Sequence, residues 1–423
     1  MTYPEAIQYL ESFINYERIP KYSYNKSLGL KRIKSFLDYL GNPEKGVKFI
    51  HVAGTKGKGS TCVFIAYILK EAGYKVGLYT SPHLADFKER IRILPGKDRD
   101  EFEGMISKAA LKKLIYELKP KIYRYNRNSP YGPLTFFEVY TALAIKYFQD
   151  KKVDFAVLET GLGGRLDATN AVNSVISVIT PISYEHTDKL GKTLKKIAKE
   201  KAGIVKGVER AVISAPQEEE AIEVIRARCR NLHVRLFEVN KYQEVRLKLR
   251  GRHQLVNAAV AKKAATLLRK YGAKISSGSI IKGLYKAPWP ARCEIIARRP
   301  YIVLDGAQNI ASARALKAAI KENFQYKKLI LVLGISRDKD IKGICLELCD
   351  LAGKIILTRA QNLRGSDPEV LAGYFSNKES YVTDTVSQAK DLSMRLATKE
   401  DLILVTGSLF VAGEFKYGRR EFN

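Results

Sequence analysis

The sequence predicts an α/β protein of two domains, each a largely parallel sheet covered by helices on both faces. Three observations carry this. Short apolar runs of strand length alternate with helical stretches along most of the chain, the pattern of repeated βα units. The first of these runs feeds a glycine-rich turn and then an apolar helix. Around residues 286–291 the segment KAPWPA sets two prolines beside the only tryptophan, and the alternation restarts beyond it. At 423 residues the chain exceeds one ordinary core. Its 46% hydrophobic content is ample for two. Domains are therefore expected over residues 1–288 and 291–423, the second smaller.

Taken in order, Ile7, Leu10, Phe13 and Ile14 recur at helical spacing, and so do Ile33, Phe36, Leu37 and Leu40. Residues 48–53 read as a buried strand, 62–71 as an apolar helix and 76–79 as the next strand. Further strands are expected at 155–158, 174–179 and 211–214. Beyond the joint they are expected at 302–304, 329–333, 354–357 and 402–405. No short internal repeat or low-complexity tract interrupts the pattern.

Seventy-three Lys and Arg against forty-four Asp and Glu give a net charge of +29. Such a balance favours an anionic partner: nucleic acid, a membrane surface, a nucleotide or an acidic metabolite. The basic residues are spread out rather than gathered into an arm, as on a solvated lysine-rich surface. Cys62, Cys229, Cys293, Cys345 and Cys349 form no C-x-x-C pair, and Cys345 and Cys349 fit a helix core better than a metal site. Free thiols, an acidic amphipathic N-terminus and no apolar run near the roughly 18 residues of a membrane span lead to the expectation of a soluble cytoplasmic protein without a membrane partner.

The turn Gly54-Thr55-Lys56-Gly57-Lys58-Gly59-Ser60 lies between the first strand and its helix. Backbone N–H groups of such a turn, with a helix N-terminus, cradle phosphate. Lys58 is then the lysine that reaches terminal phosphates, and Ser60 a hydroxyl for Mg²⁺. Gly59 between them departs from the usual G-x-x-x-x-G-K-[ST] spacing. Glu159 closes the strand FAVLE, and an acid at the carboxyl end of a central strand beside such a turn is placed to hold Mg²⁺, or else to cap the next turn.

HVAGTKGKGS resembles the P-loop of the Mur ligase superfamily, in particular of folylpolyglutamate synthase/dihydrofolate synthase. The resemblance recurs in order through LGLKRIKSFLDYLGNP, TSPHLADFKERIRI, LTFFEVYTALA, LETGLGGRLDATN, EHTDKLGKTLKKIAKEKAGI, GRHQLVNAAVA, WPARCEII and GSLFVAGEF, nearly the whole chain. It implies a P-loop parallel-sheet ATPase domain followed by a smaller Rossmann-like α/β domain.

It also implies roles that spacing alone leaves open. A lone His186 is more often structural, and Lys201 in a lysine-rich helix reads as a surface residue. The family match makes His186 a ligand of a second Mg²⁺ and Lys201 a carbamylated ligand beside it, in a metal set of Ser60, Ser81, Glu159, His186 and Lys201. Carbamylation needs a neutral amine, so burial must lower the pKa of Lys201. Asp167 and Asn170 read as loop framework. Asn257, otherwise a capping residue, becomes an adenine contact, and Arg292 and Asp305 join the ATP site. Two departures stand out: Glu185 where the family has Asp before the histidine, and Gln308 where it has His. Gln308 can donate to phosphate but cannot titrate near neutrality. The folate would lie between the Ser81, Pro82 and His83 loop and the P-loop, with Phe136 and Phe137 near the pterin, although adjacent aromatics are more often core. Ser408 has no assigned role.

The implied partners are ATP, two Mg²⁺, L-glutamate and a folate or dihydropteroate, in a monomer. The implied reaction passes through an acyl phosphate attacked by the glutamate amine. A ligase acting on a UDP-muramoyl precursor is the nearest rival. A basic nucleic-acid ATPase would need an aromatic and basic strip or an arginine-rich arm, and neither is visible.

Overall fold

The computed structural model describes residues 1–19, 22–96, 101–240, 245–361 and 364–418. The expected domain spans cross the intervening stretches and run on to 419–423, which lie outside the described residues.

Two sheets form. The first contains β1 (Lys48–Ala53), β2 (Val76–Tyr79), β3 (Ile91–Leu94), β4 (Phe155–Glu159), β5 (Ser174–Ile179), β6 (Ala211–Ser214) and β7 (Leu236–Glu238), in the order β3-β2-β4-β1-β5-β6-β7. The second contains β8 (Glu294–Arg298), β9 (Tyr301–Leu304), β10 (Leu329–Leu333), β11 (Lys354–Leu357), β12 (Glu379–Val382) and β13 (Leu402–Thr406), in the order β12-β11-β10-β13-β9-β8. β1 lies between β4 and β5 and pairs with both in parallel. Its carboxyl end therefore opens at the centre of the sheet, where α/β folds place ligands.

Both sheets are parallel, as expected, apart from one edge strand in each. β3 runs antiparallel to β2, and β8 antiparallel to β9. Both are edge strands, where a hairpin-like return needs no crossover helix. β3, β7, β8 and β12 were not anticipated. β7, β8 and β12 are at most half-buried and lack the continuous apolar run of a central strand.

The first helix covers Tyr3–Glu11 and starts with a capping box between Thr2 and Glu5. It ends before Phe13 and Ile14, so Ile14 is exposed rather than part of a helical face. The helix after β1 begins at Lys58, four residues earlier than expected, and runs to Glu71. Residues 59 to 69 of it are all buried, and it packs between the sheet and the helices Arg252–Lys270 and Ser277–Lys286. An apolar surface all round suits such a fully enclosed helix. It fixes the turn at its N-terminus on a rigid base.

Candidate active site

A cleft of about 1040 Å³ opens between the carboxyl ends of the two sheets. All the residues singled out above for ATP, metal and substrate border it except Gly54. The turn is built by close approach. Gly57 has φ 77°, and a Cβ there would stand 2.1 Å from Asn257 Oδ1. A Cβ on Gly54 would stand 1.9 Å from Thr180 Oγ1, and one on Gly59 2.8 Å from the Trp289 ring. Glycine is the residue that fits at each. The N–H groups of Thr55 and Lys56 donate to Pro181 O at 3.0 and 3.1 Å, which pins the turn to the exit of β5.

Lys58 Nζ lies 3.4 Å from Thr55 O. Glu159 is buried at the end of β4, and one of its oxygens accepts the Ser81 N–H at 3.1 Å. Burial raises its carboxyl pKa, while Lys58 and Arg292 pull it down. Glu159 thus feels one cation from each sheet. Asp167 is a framework residue, accepting N–H bonds from Gly161 and Leu162, both at 2.9 Å, and from Thr169 at 3.0 Å. Asn170 donates to Arg165 O and Gly203 O.

Lys201 is 4% exposed, so the surface reading of its helix fails. Its Nζ donates to Gly54 O at 2.7 Å. Burial, with Lys58 adding to it, lowers its pKa to about 7. His186 has φ 52° and a pKa lowered to about 4 by burial and Lys339. Both groups are available as neutral bases near neutrality.

The second sheet brings Arg292, Asp305 and Gln308. Both oxygens of Asp305 accept backbone N–H groups, from Cys293 and Ala307 at 2.8 Å each, which shapes the turn at the rim of the cleft. Arg292 Nη1 lies 2.7 Å from where a Gly306 Cβ would be, and its guanidinium is held by Ala291 O at 3.0 Å. The Asn257 amide donates to Gln254 Oε1 at 3.0 Å. Ser408 caps the helix Leu409–Tyr417 by accepting the Phe410 N–H. Phe136 is fully buried among Phe87, Tyr140 and the Arg90 guanidinium, while Phe137 is half-buried beside Gly161.

Several cleft residues gave no sequence signal. Arg90 is 1% exposed, donates to His83 Nδ1 at 3.0 Å and grips both oxygens of Glu17. Arg364 from the second sheet's loops donates to Glu17 O at 2.8 Å. Arg337, Lys339 and Arg359 also line that side.

A Mur ligase middle domain matches residues 133–243, and a Mur ligase glutamate ligase domain matches residues 291–409. The dihydrofolate synthase/folylpolyglutamate synthase of Bacillus subtilis is 35% identical over 92% of this chain and 94% of its own length. The chain belongs to the folylpolyglutamate synthase/dihydrofolate synthase family of Mur ligases. E. coli FolC in complex with DHPP and ADP superposes on this family member with a TM-score of 0.84, at 29% identity over 98% of this chain and 97% of that one. The bifunctional folylpolyglutamate synthase/dihydrofolate synthase from Yersinia pestis, complexed with AMPPNP and Mn ion, does so at 0.81, 28% identity, 98% and 97%. A Haloferax volcanii relative that carries a bifunctional folylpolyglutamate synthase/dihydropteroate synthase name is 36% identical over 98% of this chain, which spans about half (50%) of that protein.

The family uses nucleotide and a divalent metal. In this member the donors fit a hard cation. Ser60, Ser81 and Glu159 offer oxygen ligands at the mouth of the phosphate turn, and Mg²⁺ takes few protein oxygens, filling its shell with water and phosphate. No group of three or more His, Cys, Asp and Glu forms among the described residues. His186 and Lys201 fit a metal only if Lys201 carries a carboxylate, and its near-neutral pKa permits that modification.

Proposed function

We propose that this chain is an ATP-dependent ligase joining L-glutamate to the carboxylate of a folate, with dihydropteroate as the alternative acceptor. The observation that carries this is the cleft itself: a phosphate turn on the first sheet faces Arg292 on the second across Glu159. One carboxylate oxygen of the acceptor attacks the γ-phosphorus of ATP, the bond to ADP breaks, and an acyl phosphate forms. The amine of glutamate then attacks the carbonyl carbon, phosphate leaves, and a proton is lost to give the amide.

The turn 54–60 and Lys58 hold the phosphate chain, and Arg292 balances charge on the transferred group. Asn257 and Gln308 complete the nucleotide site. When bound, two Mg²⁺ supply charge neutralisation on the phosphates, one suited to Ser60, Ser81 and Glu159, the other to His186 and carbamylated Lys201. Ser81, Pro82, His83 and Phe137 border the acceptor, with Phe136 beneath them. Arg337, Lys339 and Arg359 offer cations for the two carboxylates of glutamate, next to the reacting carbonyl. Closing the sheets together excludes the water that would hydrolyse the acyl phosphate. The joint at residues 286–291 is the hinge for that closure. Both halves of the cleft come from one chain, which suits a monomer. The five thiols are unpaired among the described residues, which suits the cytoplasm.

Glutamate- and Mg²⁺-dependent phosphate release from ATP, with dihydropteroate and tetrahydrofolate compared and products weighed by mass spectrometry, tests the proposal. A gain of one glutamyl unit on either acceptor is expected. No product on both, from protein that still binds ATP, would sink it and turn attention to muramoyl carboxylates.

A further inference from the structure

We infer that Glu185 ties the phosphate turn to the second domain, so that docking of the two sheets positions Lys56 as a further cation over the cleft. This makes Glu185 a positioning residue, and the inference rests on the ATP-dependent reading above.

The carboxylate is shared between two partners from opposite sides of the cleft. Glu185 Oε1 accepts Asn309 Nδ2 at 3.1 Å, a bond from the second sheet's Asp305–Asn309 turn. Glu185 Oε2 stands 3.7 Å from Lys56 Nζ in the phosphate turn. Each partner is itself fixed. Asn309 Oδ1 accepts the Ser312 N–H and the Ser312 hydroxyl, both at 2.9 Å, which leaves its amide N–H groups pointing outward. The Lys56 backbone N–H is held by Pro181 O at 3.1 Å, on the segment that leads to Glu185. The side chains of Lys56 and Glu185 are 24% and 13% exposed, so the pair is only lightly screened.

The length of the arm matters. Aspartate at this position, the residue expected from the family pattern, is shorter by one carbon–carbon bond of roughly 1.5 Å. That would take a 3.1 Å contact beyond hydrogen-bond range.

Asn309→Ala and Glu185→Gln separate the two contacts, and Glu185→Asp retracts the carboxylate from both. The alanine at 309 removes that donor and leaves the Glu185 charge on Lys56, whereas the glutamine keeps an acceptor for Asn309 but loses its charge on Lys56. Trp289 is the only tryptophan and touches the phosphate turn, so its fluorescence reports binding of a nonhydrolysable ATP analogue in the full chain. X-ray scattering with the analogue bound reports closure. Glu185→Asp and Asn309→Ala should each enlarge the radius of gyration and lower kcat about tenfold, the size of one hydrogen bond to a charged group. The double variant should be no worse than either single one. Glu185→Gln should stay closed and instead raise the KM for ATP. Additive losses in the double variant, or an unchanged radius in Glu185→Asp protein that melts like the wild type, would overturn the tie. Wild-type protein that closes on the analogue through Glu185 but makes no glutamyl product would sustain the tie and overturn the ligase reading alone.

Discussion

Lys201 shows how far burial can carry one residue from its ordinary behaviour. Its folded pKa of about 7 lies below the ordinary lysine value of 10.5, so between those values the folded state binds fewer protons than the unfolded chain. The cost of charging it is therefore full below pH 7 and fades as pH rises towards 10.5. Lys201→Met should raise the melting temperature at pH 7 and gain little at pH 10, while glutamate ligation is lost. A lower melting temperature at pH 7 would mean that the bond to Gly54 O outweighs the burial cost. In the wild type, removal of bicarbonate should abolish activity reversibly and remove a carbon dioxide mass from the native protein. None of this burial could be read from KKIAKEKAGI, because a helix shows its lysines alike until a neighbour covers one.

The phosphate turn is the element on which the site depends, and its glycines are there for two different reasons. Gly57 combines a left-handed φ of 77° with a clash at 2.1 Å from Asn257 Oδ1. Gly73 has φ 90° with nothing within 4 Å of where a Cβ would stand, so it shares the backbone penalty alone. Gly73→Ala should cost about 1–2 kcal/mol, read from denaturant midpoints. Gly57→Ala should cost more and also remove the nucleotide response of Trp289. Equal costs would show that Asn257 moves aside freely. Central strands were legible because burial on both faces writes a continuous apolar run. Edge strands such as β12, exposed along most of its length, write no such signal. The antiparallel sense of β3 and β8 was equally silent, since strand direction follows from connection geometry and not from composition.

The whole molecule sets the conditions under which the site works. His51 is fully buried in β1, its Nε2 is 2.8 Å from Thr169 Oγ1, and burial lowers its pKa to about 3. A folded pKa below the ordinary histidine value of 6.5 means stability is lost as pH falls below 6.5, by about 1.4 kcal/mol per pH unit. Buried Glu159 and Asp305, whose pKa values are raised, act in the opposite sense, so the comparison must be with a variant. His51→Gln should flatten the fall in melting temperature between pH 6.5 and 4, and an unchanged slope would remove His51 from the acid response. The net charge of +29 should draw anionic substrates to a cleft lined by lysine and arginine. Raising salt from about 0.05 to 0.5 M should lower kcat/KM more for a polyglutamylated folate than for a monoglutamate, because screening acts on each added charge. Equal slopes would leave the basic surface with no part in substrate capture.

Sequence alone was enough for the α/β class, the central strands, the glycine-rich turn after β1 and the family, because these are written in local periodicity and in short motifs whose residues are neighbours along the chain. Tertiary structure was needed to establish that Lys201 is buried, that Asp305 shapes a turn, that Arg90, Glu17 and Arg364 meet, and that Glu185 bridges Lys56 to Asn309. Those facts depend on which distant segments share a low-dielectric cleft, and burial, pKa and hydrogen-bond geometry exist only once they do.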